Sequence, residues 1–158
     1  MVATTQIKPK TVTGTPSDGV VQFSVFTPNR LGRLHAVVTL LGAKNVHVLA
    51  ITVLDTTDSA IIRLVVDDPD RARELLQDGG FAFAESRLVA TEVNSTEELN
   101  KLFAALVEAE LNVNYLYSCI PHPSGKTILA MSVEDNELAA QTLKRHQFAV
   151  LKQADISR

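Results

Sequence analysis

The sequence predicts an α+β protein built from two βαββαβ units, each an antiparallel sheet with both helices on one face. Three observations carry this. The order of patterns from 20 to 83 is strand, helix, strand, strand, helix, strand, and it recurs from 88 to 156. A shift of 65 positions lays Asn29 on Asn94, Leu34 on Leu99, Leu41 on Leu106 and Val48 on Val113. A shift of 67 then lays Ile61 on Ile128, Val66 on Val133, Asp68 on Asp135, Ala72 on Ala139 and Phe81 on Phe148. The change of two falls in the turn-rich stretch 121–126, where an insertion costs little. A repeat of this length is a duplicated small domain rather than a solenoid unit.

Each element has a local reason. Val21, Phe23 and Val25 alternate with Gln22 and Ser24, the pattern of a half-buried strand, with Phe23 and Phe26 assigned to core packing. Thr27-Pro28-Asn29-Arg30 breaks it. From 31 to 44, Leu34, Val37, Val38 and Leu41 fall on one helical stripe. Asn45 can take the left-handed conformation that closes a helix. Residues 46–54 are rich in β-branched side chains, 55–59 are a polar turn, and 60–66 form a nearly continuous apolar strand. Asp68-Pro69 places a cap and a first-turn proline before a helix ended by Asp78-Gly79-Gly80. A short strand is expected at 81–85.

The second unit repeats the scheme. A strand is expected at 88–93, and a helix at 96–110 capped by Asn94 or Ser95. A hairpin follows, 113–120 with 127–133, around Ser124-Gly125. Asp135 caps a helix at 136–146, and 148–153 is the last strand. A single 65-residue unit is marginal in size, so two fused units bury more surface. This is the ferredoxin-like arrangement twice over, with domains expected at 19–86 and 87–158 and a tail at 1–18.

Composition bounds the function. With 46% apolar and 21% charged residues, the chain is in the globular range. No apolar run approaches the ~20 residues of a membrane span, and residues 1–18 lack a signal-peptide core, so a cytoplasmic protein without membrane contact is expected. A net charge of −3 argues against a nucleic-acid surface. The strand Ala60–Val65 and its counterpart 127–133 also lack the aromatic residues that stack on bases. The lone Cys119 sits in a strand-like segment and reads as a structural thiol. His35, His47, His122 and His146 are scattered, and neither phosphate-loop nor hydrolase motifs occur. Asp67-Asp68 reads as a helix cap before a metal site. No enzymatic activity, metal or cofactor is called for.

Residues 27–34 hold the candidate site. They join a strand to a helix N-terminus, where free N–H groups attract a carboxylate and Gly32 admits close approach. Asn29 offers both donor and acceptor groups. Two readings stand side by side: capping by Asn29, or a cradle for an amino acid.

The spacing resembles that of the ACT domain, a small amino-acid-binding regulatory module. Its loop reads roughly N-x-P-G-x-L, followed some 11 residues later by G-[IV]-N-[IV]. The chain has Asn29-Arg30-Leu31-Gly32-Arg33-Leu34 and then Asn45-Val46-His47-Val48. The second copy has Asn94-Ser95-Thr96-Glu97-Glu98-Leu99 and then Glu110-Leu111-Asn112-Val113. Leu31 stands in place of the Pro, Asn45 and Glu110 in place of the later Gly, Glu97 in place of the loop Gly, and His47 in place of the Asn. The resemblance implies an amino-acid ligand between domains, held by Asn29, Arg30, Leu31 and Gly32 with Asn112 and Val113. A reciprocal site would use Asn94 and Ser95 with Val46 and His47. Glu97 adds negative charge where a carboxylate would approach, so one good site per chain is expected. The resemblance also implies a homodimer and a partner enzyme, or alternatively a regulatory subunit of an amino-acid biosynthetic enzyme such as acetolactate synthase. Tyr115, Leu116 and Tyr117, on an expected edge strand, are candidates for a dimer interface.

Overall fold

A computed structural model describes residues 19–120 and 125–157; the expected tail and most of the Pro121–Lys126 turn, with His122, lie outside the described residues. The elements run β1 (Val20–Pro28), α1 (Arg33–Gly42), β2 (Val48–Asp55), β3 (Ser59–Val66), α2 (Pro69–Asp78), β4 (Ala82–Glu92), α3 (Thr96–Glu108), β5 (Val113–Ser118), β6 (Ile128–Val133), α4 (Asn136–Arg145), β7 (Val150–Leu151) and α5 (Gln153–Ile156). Two ferredoxin-like units are present, all strand pairs antiparallel.

The strands expected at 81–85 and 88–93 are one strand, β4. Its first half pairs β1, from Phe26↔Ala82 to Val20↔Leu88. Its second half pairs β6 from Val89↔Met131 to Glu92↔Ile128. No glycine or proline interrupts 82–92, so nothing in the chain breaks the strand there. The strand order is β2-β3-β1-β4-β6-β5, with β7 beside β4. The two ends of this order meet: the Ile120 N–H, just past β5, donates to the Leu49 carbonyl of β2 at 2.6 Å. The sheet thus curls back on itself.

Three apolar cores follow from that curl. Val21, Phe23, Val25, Ile62 and Leu64 pack under α1 and α2 with Val37, Leu41, Ala72 and Leu76. Val89, Leu129, Met131 and Val133 pack under α3 and α4 with Leu102, Leu106, Ala139 and Leu143. The helix-free faces meet in the third core, through Val20, Leu49, Val65, Leu88, Ala90, Tyr117 and Ala130. This corrects the reading of β1 as half-buried: Val20 and Gln22, on its second face, are fully buried because the other unit's sheet covers them. Tyr115 and Tyr117 likewise face inward rather than outward to a dimer partner.

Helix stripes are narrower than the periodicity suggests. Val37 and Leu41 are buried, whereas Leu34 and Val38 are exposed. Phe26 is also exposed, unlike Phe23. All four long helices end alike. Asn45, Gly80, Glu110 and Gln147 adopt positive φ, and the following residue's N–H bonds back to Leu41, Leu76, Leu106 or Leu143, the Schellman closure. The last strand is two residues rather than six: Val150 and Leu151 pair with Thr91 and Ala90, the Ala149 carbonyl accepts from Thr91 Oγ1, and from Gln153 the chain turns into α5.

Candidate functional site

The segment Asn29–Gly32 hangs exposed beyond β1. Asn29 does not cap α1: its Nδ2 donates to Asp55 Oδ1 at 2.6 Å, pinning the loop to the end of β2. Gly32 is the N-cap residue instead, at φ 86°. A β-carbon there would meet nothing within 4 Å, so the backbone conformation, not crowding, asks for glycine. Gly32 has no side chain to offer the first turn, and that turn holds no acidic residue. Arg30 and Arg33 flank it, the latter with its guanidinium 5.9 Å from the Phe81 ring centre. The result is an open, electropositive helix N-terminus suited to a carboxylate.

The second loop is built differently. Ser95 caps α3 by accepting from the Glu98 N–H, and Glu98 reaches back to the Asn94 N–H at 2.7 Å. Glu97 and Glu98 occupy the first turn, with Lys101 3.3 Å from Glu97. Its donors are taken by its own side chains, and its charge is negative. Asp68 and Asp135 cap α2 and α4 as their sequence positions imply.

The second-strand positions are clasped to acids. His47 donates its backbone N–H to Asp67 Oδ1 at 2.8 Å, and its Nδ1 lies 2.7 Å from Asp67 Oδ2. Asn112, its counterpart, donates to Glu134 at 3.0 Å. Val46 is buried in the first core and Val113 half-buried at the second. Among the described residues, the hydrogen bonds of Asn29 run to the β2–β3 end and those of Asn112 to Glu134; none joins the two loops to the opposite strands.

One cluster was not singled out from the sequence. Gln22, fully buried, donates to Tyr115 Oη (2.7 Å) and Ser86 Oγ (2.9 Å), and accepts from Tyr117 Oη (2.7 Å). The Arg63 guanidinium lies 4.0 Å over the Tyr115 ring. Each of these bonds to a tyrosine crosses from one unit to the other. Burial pushes the Tyr117 hydroxyl above its ordinary pKa and the Cys119 thiol up to about 11. The signal available was the Gln22 and Ser24 face of β1 beside a Tyr-x-Tyr strand.

Among the described residues no group of three or more His, Cys, Asp or Glu could hold a metal ion, and no helix is long and apolar enough to cross a membrane.

The fold is shared with known proteins. A family model described as ACT domain pair matches residues 19–158. Protein BT0572 from Bacteroides thetaiotaomicron superposes with a TM-score of 0.79 at 25% identity, covering 88% of this chain and 97% of that one. The ligand-free regulatory subunit of aspartate kinase from Thermus thermophilus superposes at 0.59 and 17% identity, over 82% and 92% of the chains. The corresponding subunit from Thermus flavus gives 0.55 at 15% identity, over 80% and 92%. A search of curated proteins finds no significant match.

Proposed function

The chain belongs to the ACT domain pair family, and on that premise we propose that it is a non-enzymatic regulatory protein that binds an amino acid at Asn29–Gly32. The observation that carries this is the α1 N-terminus. It has neither a side-chain cap nor a first-turn acid, and two arginines flank it. The ligand carboxylate takes the free N–H groups of the first turn. The Asp55 and Asn29 side-chain oxygens are the nearby acceptors for its ammonium group. Asn112 and Val113 complete the site from the other unit or from a second chain. The self-capped, acidic Asn94–Ser95 loop with Val46 and His47 is the weaker counterpart, so binding is asymmetric. Ligand occupancy shifts the packing of the units, and couplings of this kind are typically ~1–3 kcal/mol.

Isothermal titration calorimetry of the full chain against the standard amino acids tests this. One dominant site per chain is expected. Gly32→Glu places a carboxylate against the ligand's own, a cost of about 3 kcal/mol or roughly 100-fold in affinity, while circular dichroism stays unchanged. A flat response to every amino acid, or two equal sites, overturns the reading.

The second reading is a regulatory subunit of an amino-acid biosynthetic enzyme. The fold shared with the aspartate kinase regulatory subunit accords with it. Pull-down of a biosynthetic enzyme by the tagged chain would move the assignment there. A cytoplasmic homodimer accords with both readings, and light scattering measures it.

A further inference from the structure

The helix-free face of the first unit is covered only in part by the second. Gln22, Ala50 and Val65 on that face are fully buried. Two residues further along each strand the cover ends. There Ser24, Arg63 and Thr52 lie side by side on β1, β3 and β2, all half-buried. One row beyond, Phe26, Ile61 and Leu54 are aligned on the same strands. Phe26 and Leu54 are each 46% exposed. The result is an apolar shelf in front of the covering sheet, with a cation at the step between them.

Arg63 is set at that step without a counter-charge. Its guanidinium lies 4.0 Å from the centre of the Tyr115 ring of the covering sheet. It makes no ion pair or hydrogen bond among the described residues, and its Nε is buried with no acceptor. The Ser24 and Thr52 hydroxyls beside it are also without a hydrogen bond among those residues. A half-buried guanidinium with no acceptor carries a desolvation cost that an anion would offset. The fold does not require it. The repeat lays Arg63 on Ala130, which is fully buried in the third core. The second unit closes this place with a methyl group; the first keeps a planar donor fork.

The surroundings narrow the ligand. A guanidinium edge takes a carboxylate through two parallel hydrogen bonds. The cross-strand neighbours of Arg63 and Ile61, from Ala84 and Ala82 on β4 to Thr52 and Leu54 on β2, include no Asp or Glu. These two rows therefore offer no partner to an ammonium group, unlike the Asn29–Gly32 loop with its Asp55. From Phe26 to Leu54 the shelf spans two interstrand spacings, ~10 Å, room for an apolar tail.

We propose that the Arg63 step is a second binding site, distinct from the Asn29–Gly32 site, for a monocarboxylate with an apolar tail and no amino group. The carboxylate pairs with the Arg63 guanidinium, and the Ser24 and Thr52 hydroxyls donate to it from either side. The tail lies over Phe26, Ile61 and Leu54 and takes their exposed surface out of water.

Titration calorimetry of the full chain with octanoate tests the proposal. One site per chain is expected, with acetate, octanol and octylamine each at least roughly tenfold weaker. Acetate lacks the tail, octanol lacks the charge, and octylamine carries the wrong sign. Arg63→Met keeps most of the stem and removes the fork. Leu54→Glu sets a carboxylate on the shelf that repels the ligand and competes for Arg63. Each should weaken octanoate roughly tenfold or more. Leu54 is exposed, so its variant decides the question even if Arg63→Met perturbs packing between the sheets. Gly32→Glu should leave octanoate binding unchanged, so this result is independent of the amino-acid experiment. Absence of octanoate binding, equal affinity for octanol, unchanged affinity in either Arg63→Met or Leu54→Glu, or loss of octanoate binding in Gly32→Glu overturns it.

Discussion

His47 and Asp67 are joined twice, through the His47 backbone N–H to Oδ1 at 2.8 Å and through Nδ1 to Oδ2 at 2.7 Å. The return bond runs from the Asp67 N–H to the His47 carbonyl at 3.1 Å. Asn112 and Glu134 repeat the clasp in the second unit with one side-chain bond and the same backbone return. Both join the start of a unit's second strand to the end of its third. Asp67→Ala leaves the His47 N–H without its carboxylate and should cost about 1–2 kcal/mol. Glu134→Ala breaks a single exposed bond and should cost about 0.5 kcal/mol. Urea denaturation of the two variants measures the difference, and equal losses would contradict it.

The helix ends give a second prediction. Glu110 and Gln147 hold φ of 56° and 67°, where side chains other than glycine are strained. Glu110→Gly and Gln147→Gly should each stabilise by about 0.5–1 kcal/mol, whereas Gly80→Ala should cost a similar amount. Melting temperatures for the three should move in these opposed directions.

The Gln22 cluster gives a third. Tyr117→Phe leaves the buried Gln22 Oε1 without its donor, at a cost of about 1–3 kcal/mol. Gln22→Leu removes the partner of both tyrosines. The double variant should lose less than the sum of the singles, and a double-mutant cycle reads the coupling. Strict additivity would show that the cluster does not act as one unit.

A fourth concerns alkali. Burial raises the Cys119 thiol from an ordinary 9.0 to about 11. The folded state therefore keeps a proton that the unfolded state gives up above pH 9. Stability from this group is complete below pH 9 and is lost as pH rises through 11. Iodoacetamide at pH 8 should modify Cys119 in the folded chain roughly 100-fold more slowly than in urea, since thiolate is the reactive form. Cys119→Ala should flatten the fall in stability between pH 9 and 11. Rapid alkylation at pH 8 without denaturant would show that the thiol is not buried.

Much of this was legible because it is local. Caps at Asp68 and Asp135, the turn at 55–59 and the left-handed Asn45 follow from neighbouring residues alone. The ACT-like loops were legible as motifs, but their wiring was not. Asn29 looks like a cap from its position and serves Asp55 instead, because β2 ends alongside it. The inward turn of Tyr115 and Tyr117 depends on how one sheet lies over the other, which no window of sequence encodes. The length of β7 is likewise set by tertiary contacts, the bond from Thr91 Oγ1 to the Ala149 carbonyl and the turn into α5 at Gln153.

Strand β4 carries a consequence for how the protein unfolds. A linker between repeats would let one half melt while the other persists. Here the passage from one half to the next is itself paired: Glu85 to Leu88 lies against β1, and Val89 onward against β6. Fraying the first half strips β4 of its partner just where the second half begins, and Gln153, which bonds to Val21 and Val66, adds a tie from the far end of the chain. The duplicated halves should therefore melt in a single cooperative transition, with amide protons along β4 among the last to exchange.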